Sequence, residues 1–291
     1  MSGNGINERQ NSLLCLKMLA AQRQLYRECK WYNFFSLVMC VIVPFICAVV
    51  LLFLPKNSVF ETFTYVISLS GILISIYSKK KMESKQSQAA KTQLLFDITV
   101  FQLPWDEKLF GSNNNINPLI AEKSIKIISK DTDYKKLINW YPEKYDKLSL
   151  NEAIPLCQQA NIAWDSNIRT LYRVFLAVII IVMVLSVIAL GIASNETINL
   201  LLWRLAFVVP LVKWLIEKIN SVSNDFSRLN EFRGIFLFNR KHSDDDLLLI
   251  QSKIQHHREK CTLIPDWFYT MLRNRQENIM GITADIESKN R

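Results

Sequence analysis

Four long apolar stretches alternate with strongly charged segments along the chain. They cover residues 34–54, 60–78, 174–193 and 198–216. A helix rises about 1.5 Å per residue, so about 20 apolar residues cross a hydrocarbon core of about 30 Å. The connections within the two pairs are short, residues 56–58 and 194–197. This pattern predicts an all-α membrane protein with four transmembrane helices arranged as two hairpins.

The polar segments around the hairpins carry helix signals of their own. Ser149 and Glu152 form a capping-box pattern, which predicts a helix that runs through Pro155 into the third span. Ser243, followed by three aspartates, predicts another helix start, and Pro265 with Asp266 predicts a third. Residues 103–118 and 140–142 read as breaks. We therefore expect a mainly helical cytoplasmic region built from the insert and both termini.

These signals divide the chain into five segments. They are an N-terminal helix (1–33), a first transmembrane hairpin (34–78), an insert (79–173), a second hairpin (174–216) and a C-terminal helical region (217–291).

The positive charge is concentrated on one side of the predicted spans. The chain has 35 Lys and Arg against 26 Asp and Glu, a net charge of +9. If the spans alternate, the flanking cations on one side include the N-terminal segment, residues 79–81, Arg169, Arg173 and Lys218. The positive-inside rule then places both termini and the insert in the cytoplasm. Because this bias explains much of the charge, no DNA or RNA polymer is needed as a partner.

Polar residues inside the predicted spans are candidates for pore lining. Arg204 interrupts the fourth span, where a charge costs about 2.5–3.5 kcal/mol at mid-membrane on insertion scales. It either faces a water-filled path or a polar partner in an assembly, or it lies near the outer end of the span and reaches back to the outer surface. Ser68 and Ser75 share a face of the second span, where hydroxyls could line a pore or pack helices together. We expect the second and fourth spans to line any conducting path.

The tail interleaves cations with aromatic residues, a composition that suits a nucleotide ligand. Guanidinium groups pair with phosphates, and aromatic faces stack on bases. The alternative is an amphipathic helix that packs on the insert with its aromatic residues inward. The ligand-binding candidates are Arg258, Lys260, Trp267, Tyr269 and Arg273.

Signals for enzymatic chemistry are weak. The chain has three histidines and seven glycines, and it lacks the common hydrolase, zinc-protease and phosphate-loop patterns. No two of the six cysteines have C-x-x-C spacing. We expect no catalytic residues, no metal and no cofactor.

Several short motifs occur together around the four spans. Before the first span stand Asn7-Glu8-Arg9-Gln10-Asn11 and residues 19–26; before the third stand Trp140-Tyr141-Pro142, residues 157–161, Trp164-Asp165, Arg169 and Tyr172; in the tail stand residues 265–269 and Arg273. In order and placement the chain resembles the S-4TM family, proposed pore-forming effectors of bacterial CBASS antiphage systems. The resemblance covers nearly the whole chain.

The resemblance implies a function in the bacterial inner membrane. A companion nucleotidyltransferase would make a cyclic oligonucleotide on infection, and the effector would bind it, assemble as a homo-oligomer and permeabilise the lipid bilayer. Four helices per protomer are too few to enclose a wide pore, which agrees with oligomerisation. Two alternatives stay open: a non-conducting membrane sensor or scaffold, and a small ion channel or transporter unrelated to nucleotide signalling.

Overall fold

The computed structural model describes residues 3–43, 46–47, 59–194, 197–238 and 243–289. Within these residues every regular element is a helix or a helical turn, as the all-α prediction requires. The α-helices are α1 (Ile6–Gln10), α2 (Leu13–Leu37), α3 (Val59–Phe101), α4 (Glu107–Phe110), α5 (Ile116–Ile128), α6 (Asp131–Tyr134), α7 (Leu150–Ala193), α8 (Ile198–Phe238), α9 (Asp244–Lys260) and α10 (Asp266–Lys289). A π-helical turn, Val38–Ile42, prolongs α2, and 3₁₀ turns occupy Lys135–Leu137 and Glu143–Lys147.

The helix predicted from the capping box at Ser149 is confirmed. Glu152 accepts a hydrogen bond from the Ser149 backbone N–H at 3.3 Å, and α7 runs unbroken through Pro155 to Ala193. Among the described residues, α7 is the one helix long and apolar enough to cross a membrane. Its most apolar 18 residues have a mean hydropathy of 3.2, and 11% of them are buried. The arrangement of four spans in two hairpins stays a prediction, and residues 34–54 lie partly outside the described ranges.

α2 and α3 approach each other closely where the first hairpin is predicted. A Cβ on Gly71 would lie 2.8 Å from the Met39 carbonyl oxygen, so only glycine fits here without a shift. The Ser36 and Ser75 hydroxyls lie 3.2 Å apart one turn away. Small residues and paired hydroxyls are the usual means by which membrane helices pack. The lysines at 79–81, which end the predicted second span, do not end the helix, because α3 continues to Phe101.

The insert and both terminal regions share one hydrophobic core. Buried side chains from five parts of the chain meet in it, for example Leu19, Leu94, Tyr141, Cys157 and Leu247. A second cluster lies where α7, α8 and the start of α10 meet. The polar half of α7 contributes to both clusters. Its first turns pack in the core, and its later turns pack in the second cluster, next to the apolar half of the helix.

The predicted helix start at Ser243 is a complete capping box. The Ser243 hydroxyl accepts the Asp246 backbone N–H at 3.2 Å, and the Asp246 carboxylate accepts the Ser243 backbone N–H at 3.0 Å. We expect Ser243→Ala to destabilise the first turn of α9 by about 1 kcal/mol. Hydrogen exchange at residues 246 and 247, whose N–H groups donate to Ser243, should then be about fivefold faster, because 1.4 kcal/mol corresponds to a factor of ten. Ser227→Ala, within α8, is the control, and equal exchange in both variants would contradict the capping role.

Candidate functional site

A cleft of about 980 Å³ opens beside the polar half of α7. Its walls come mainly from α2, residues 133–143, α7, the end of α9 and the first two thirds of α10. Seven Lys and Arg side chains line it, against five Asp and Glu side chains. We call it the basic cleft, and its principal residues are Arg23, Tyr26, Trp164, Arg169, Tyr269 and Arg273.

Two arginines share a single carboxylate at one end of the basic cleft. Asp133 accepts a hydrogen bond from Arg27 at 3.0 Å, while the Arg23 guanidinium lies farther away, at 3.8 Å. Burial lowers the pKa of Arg23; Asp133 opposes this shift, whereas the nearby charges of Arg27 and Arg273 add to it. Asp133 therefore faces two guanidinium groups, whereas Arg273 has a partner of its own in Glu277 at 2.5 Å. Arg23 and Arg27 together carry one positive charge more than Asp133 neutralises, which favours an additional anion.

Lys30 extends the basic wall by one helical turn along α2. Its ammonium group lies 2.5 Å from Asp266 Oδ1 and 4.7 Å from the centre of the Tyr269 ring. Burial nevertheless lowers the pKa of Lys30, although the Asp266 charge opposes the shift. A phosphate beside Lys30 would raise this pKa again, because an opposite charge favours the protonated form.

Arg169 forms the floor of the basic cleft and joins three elements. Its guanidinium donates to Asp165 on the same helix at 3.0 Å and to Asp225 on α8 at 2.7 Å. It also donates to the Thr262 carbonyl, in the segment that leads into α10, at 3.2 Å. Burial opposes ionisation of Asp165, but the charge of Arg169 and the hydrogen bond from His257 hold its pKa well below the usual range. Arg169 therefore connects the cleft to both long helices, α7 and α8.

His257 supplies a polar group to the same wall. Its Nε2 lies 2.8 Å from Asp165 Oδ2, and the Nε2–H is the natural donor to that carboxylate. Its buried Nδ1 has no hydrogen-bond partner among the described residues. In the neutral tautomer that donates through Nε2, Nδ1 is an acceptor.

Aromatic side chains stand between the cations. Tyr26, Trp140, Trp164 and Tyr269 all line the basic cleft and are half-buried. Burial raises the pKa of Tyr26 and of Tyr269, so both phenols stay neutral. Such side chains provide faces on which planar groups can stack.

Three of the five ligand candidates predicted from the sequence line the basic cleft. Arg258, Tyr269 and Arg273 lie in its wall, whereas Lys260 and Trp267 do not contribute to its lining. The Arg258 guanidinium is already occupied by the buried carboxylate of Asp97, at 2.6 Å. Residues not singled out as ligand candidates also line the cleft: Arg23, Arg27, Lys30, Arg169 and His257.

Trp267 lies outside the cleft, where α10 meets α7. It is exposed and packs edge-on against Phe175, with ring centres 5.4 Å apart. Phe268 packs against Tyr172 at 5.0 Å in the same cluster. These contacts fix the first turn of α10 to the point where the apolar half of α7 begins.

The pore-lining candidates stay predictions. The Ser75 hydroxyl lies against Ser36 of the same chain, which agrees with the helix-packing alternative. The side chains of Ser68 and Arg204 lie outside the described part of the structure.

Comparison with known proteins identifies the family. A family model described as "SMODS-associating 4TM effector domain" matches residues 4–286. A protein of Bacillus cereus (strain VD146) described as "Probable CBASS effector molecule" is 24% identical over 294 residues, which cover 94% of this chain and 95% of that protein. No solved structure matches the chain. The match over nearly all of its length shows that the chain belongs to the SMODS-associating 4TM effector family.

Proposed function

We propose that this protein is a membrane effector of a CBASS antiphage system that binds a cyclic oligonucleotide in the basic cleft. Binding makes the protein oligomerise and permeabilise the bacterial inner membrane, which aborts infection. Family membership and the Bacillus cereus relative support a CBASS-associated effector role. The observation that carries the ligand proposal is the cleft itself, in which arginines and aromatic rings converge beside a helix that continues into an apolar segment.

The chemistry of the cleft fits a cyclic oligonucleotide. Such a ligand presents anionic phosphodiesters and planar bases in one compact ring. The cluster of Arg23, Arg27 and Arg273 suits the phosphodiesters, because guanidinium groups bind phosphate oxygens in pairs. The four half-buried aromatic side chains suit the bases. A volume of about 980 Å³ lies at the upper end of the range of about 300–1,000 Å³ for small-molecule sites.

Arg169 offers a route from the cleft to the membrane. It touches α7, α8 and the segment before α10. A phosphate near Arg169 would compete with Asp225 for the guanidinium and alter the packing of α7 against α8. Ligand binding would thereby shift the equilibrium between two conformations of the protein, in which α7 and α8 have a closed or an open arrangement.

The membrane arrangement is part of the same proposal. Four spans in two hairpins would leave the insert and both termini in the cytoplasm, where a companion nucleotidyltransferase would release its product. The second and fourth spans, with Ser68, Ser75 and Arg204, would line the path in an oligomer. The protein itself would catalyse no reaction and would need no cofactor.

Leakage from proteoliposomes tests this function. Vesicles of bacterial phospholipid, filled with a self-quenching dye and containing the purified full chain, are exposed to a panel of synthetic cyclic dinucleotides and trinucleotides. We expect at least one of them to cause rapid dye release, with no release from protein-free vesicles. Saturable binding of a panel member without release would support the non-conducting sensor instead. Release that is independent of every nucleotide would support an unregulated channel.

A further inference from the structure

α10 presents two different faces. One face lines the basic cleft with Tyr269, Arg273 and Glu277. The opposite face carries an exposed row of apolar side chains, which we call the α10 stripe: Met271 (60% exposed), Ile279 (39%), Ile282 (61%) and Ile286 (57%). Three exposed isoleucines within eight residues form an apolar surface that usually marks a contact site.

The position of α10 excludes a bilayer as the cover of this stripe. The helix begins at Phe268, packed on Tyr172, and near its end Glu287 accepts a hydrogen bond from Tyr145 at 2.7 Å. Tyr145 precedes the start of α7, so α10 runs back along the polar half of α7, away from its apolar half. Ile282 lies 14 residues beyond Phe268, roughly 20 Å along the helix axis. Lipid around the apolar half of α7 therefore does not reach it.

The charge of α10 also argues against a lipid surface. The helix carries four acidic residues and three basic ones: Asp266, Glu277, Asp285 and Glu287 against Arg273, Arg275 and Lys289. Helices that lie on membranes are rich in Lys and Arg on the polar face. The stripe therefore suits a protein surface that is equally apolar.

We infer that the α10 stripe is the surface through which copies of this chain associate with one another. The inference deepens the oligomerisation step of the proposed function and rests on its membrane insertion. Copies inserted in the same membrane present their stripes at the same height and in parallel orientation. Ile279, Ile282 and Ile286 have the 3-4 spacing of a helix seam, and isoleucine at both kinds of core position favours three or four strands over two.

The stripe is too short to drive assembly alone. It spans about four turns of α10, whereas isolated helical seams need several heptads. Confinement in a membrane supplies the missing contribution by raising the effective concentration of the partner. Because the other face of α10 lines the cleft, a ligand on Tyr269 and Arg273 and a neighbour on the stripe act on the same helix. By linkage, any effect of the ligand on association is matched by an equal effect of association on the affinity for the ligand.

Cysteine crosslinking tests the inference both with and without the panel of synthetic cyclic dinucleotides and trinucleotides, since the stripe is exposed on each copy of the chain. Ile282→Cys and Ile125→Cys are produced in bacterial membranes and treated with a short bismaleimide, with the unsubstituted protein as a baseline for native cysteines. Ile125 is the matched control, because it is an isoleucine 67% exposed on α5 and lies outside the stripe. We expect at least about tenfold more covalent dimer from Ile282→Cys, because only surfaces that face each other hold their cysteines within reach of the linker at a raised effective concentration. Equal crosslinking of the two variants, or crosslinks only to a different protein, would overturn the inference.

A charge substitution separates this inference from the proposed function. Ile282→Glu should shift chemically crosslinked oligomers to monomers, while Ile125→Glu should leave them unchanged. Binding of a fluorescent cyclic dinucleotide reports whether the cleft of each variant is intact. If Ile282→Glu keeps the oligomers of the unsubstituted protein, the stripe is not the interface, whatever the leakage assay shows. If the oligomers depend on Ile282 but no nucleotide binds, the interface stands and the ligand proposal fails.

Discussion

Asp97→Ala is expected to lower the free energy of unfolding by about 3–5 kcal/mol, the usual cost of leaving a buried charge unpaired. Asp97 is fully buried and accepts three hydrogen bonds: from Arg258 at 2.6 Å, from the Tyr141 hydroxyl at 2.6 Å and from Gln251 at 2.7 Å. Without the carboxylate, the Arg258 guanidinium would remain in the interior with no counter-charge. The melting temperature of the purified full chain, followed by tryptophan fluorescence, should fall by several degrees.

Two controls separate the lost charge pair from a simple loss of side chain. Asp285→Ala removes an exposed ion pair with Lys144, which should matter by about 0–1 kcal/mol. Asp97→Leu combined with Arg258→Met removes both buried charges and should recover much of the loss. If the double variant is no more stable than Asp97→Ala, the unpaired guanidinium is not the cause.

Reversing two charges in the basic cleft is expected to weaken cyclic oligonucleotide binding by at least about 100-fold. Arg23→Glu with Arg273→Glu removes one cation from α2 and one from α10. Each charge-assisted hydrogen bond to a phosphate contributes about 1.5–3 kcal/mol, so two such losses reach this factor. Both arginine side chains are partly exposed, so the substitutions should leave the fold intact. The measurement is the polarisation of a fluorescent cyclic dinucleotide titrated with protein in nanodiscs.

The matched control reverses two cations outside the cleft. Lys126→Glu with Lys260→Glu changes the net charge by the same amount, on α5 and at the end of α9. Lys260 was a ligand candidate from the sequence, but it does not line the cleft. Binding should remain close to that of the unsubstituted protein. An equal loss in both double variants would mean that binding depends on overall charge and not on the cleft.

Local sequence signals predicted the helix starts well. Each helix start depends on residues within one turn, so it could be predicted without the tertiary structure. This holds for the capping boxes at Ser149 and Ser243 and for the start at Asp266. The continuous helix through Pro155 followed from the same signal. The break at residues 140–142 also agreed, because Pro142 prevents a regular helix there.

The cleft could be predicted only in part. Tyr269 and Arg273 were found because cations and aromatic residues alternate near them in the tail. Arg23, Arg27 and Lys30 were read only as flanking charge, although with Tyr26 their spacing places them on one face of α2. The pairing of Asp97 with Arg258 joins residues 161 positions apart, and no periodicity reveals such a contact.

The central claim is that occupancy of the basic cleft opens the membrane. Proteoliposomes that hold the full chain and an entrapped dye allow binding and release to be followed together while a fluorescent cyclic dinucleotide is titrated. We predict that release rises over the same nucleotide concentrations as binding, and that both are lost together in the Arg23→Glu and Arg273→Glu variant. Undiminished nucleotide-dependent release from vesicles that carry this variant would contradict the claim.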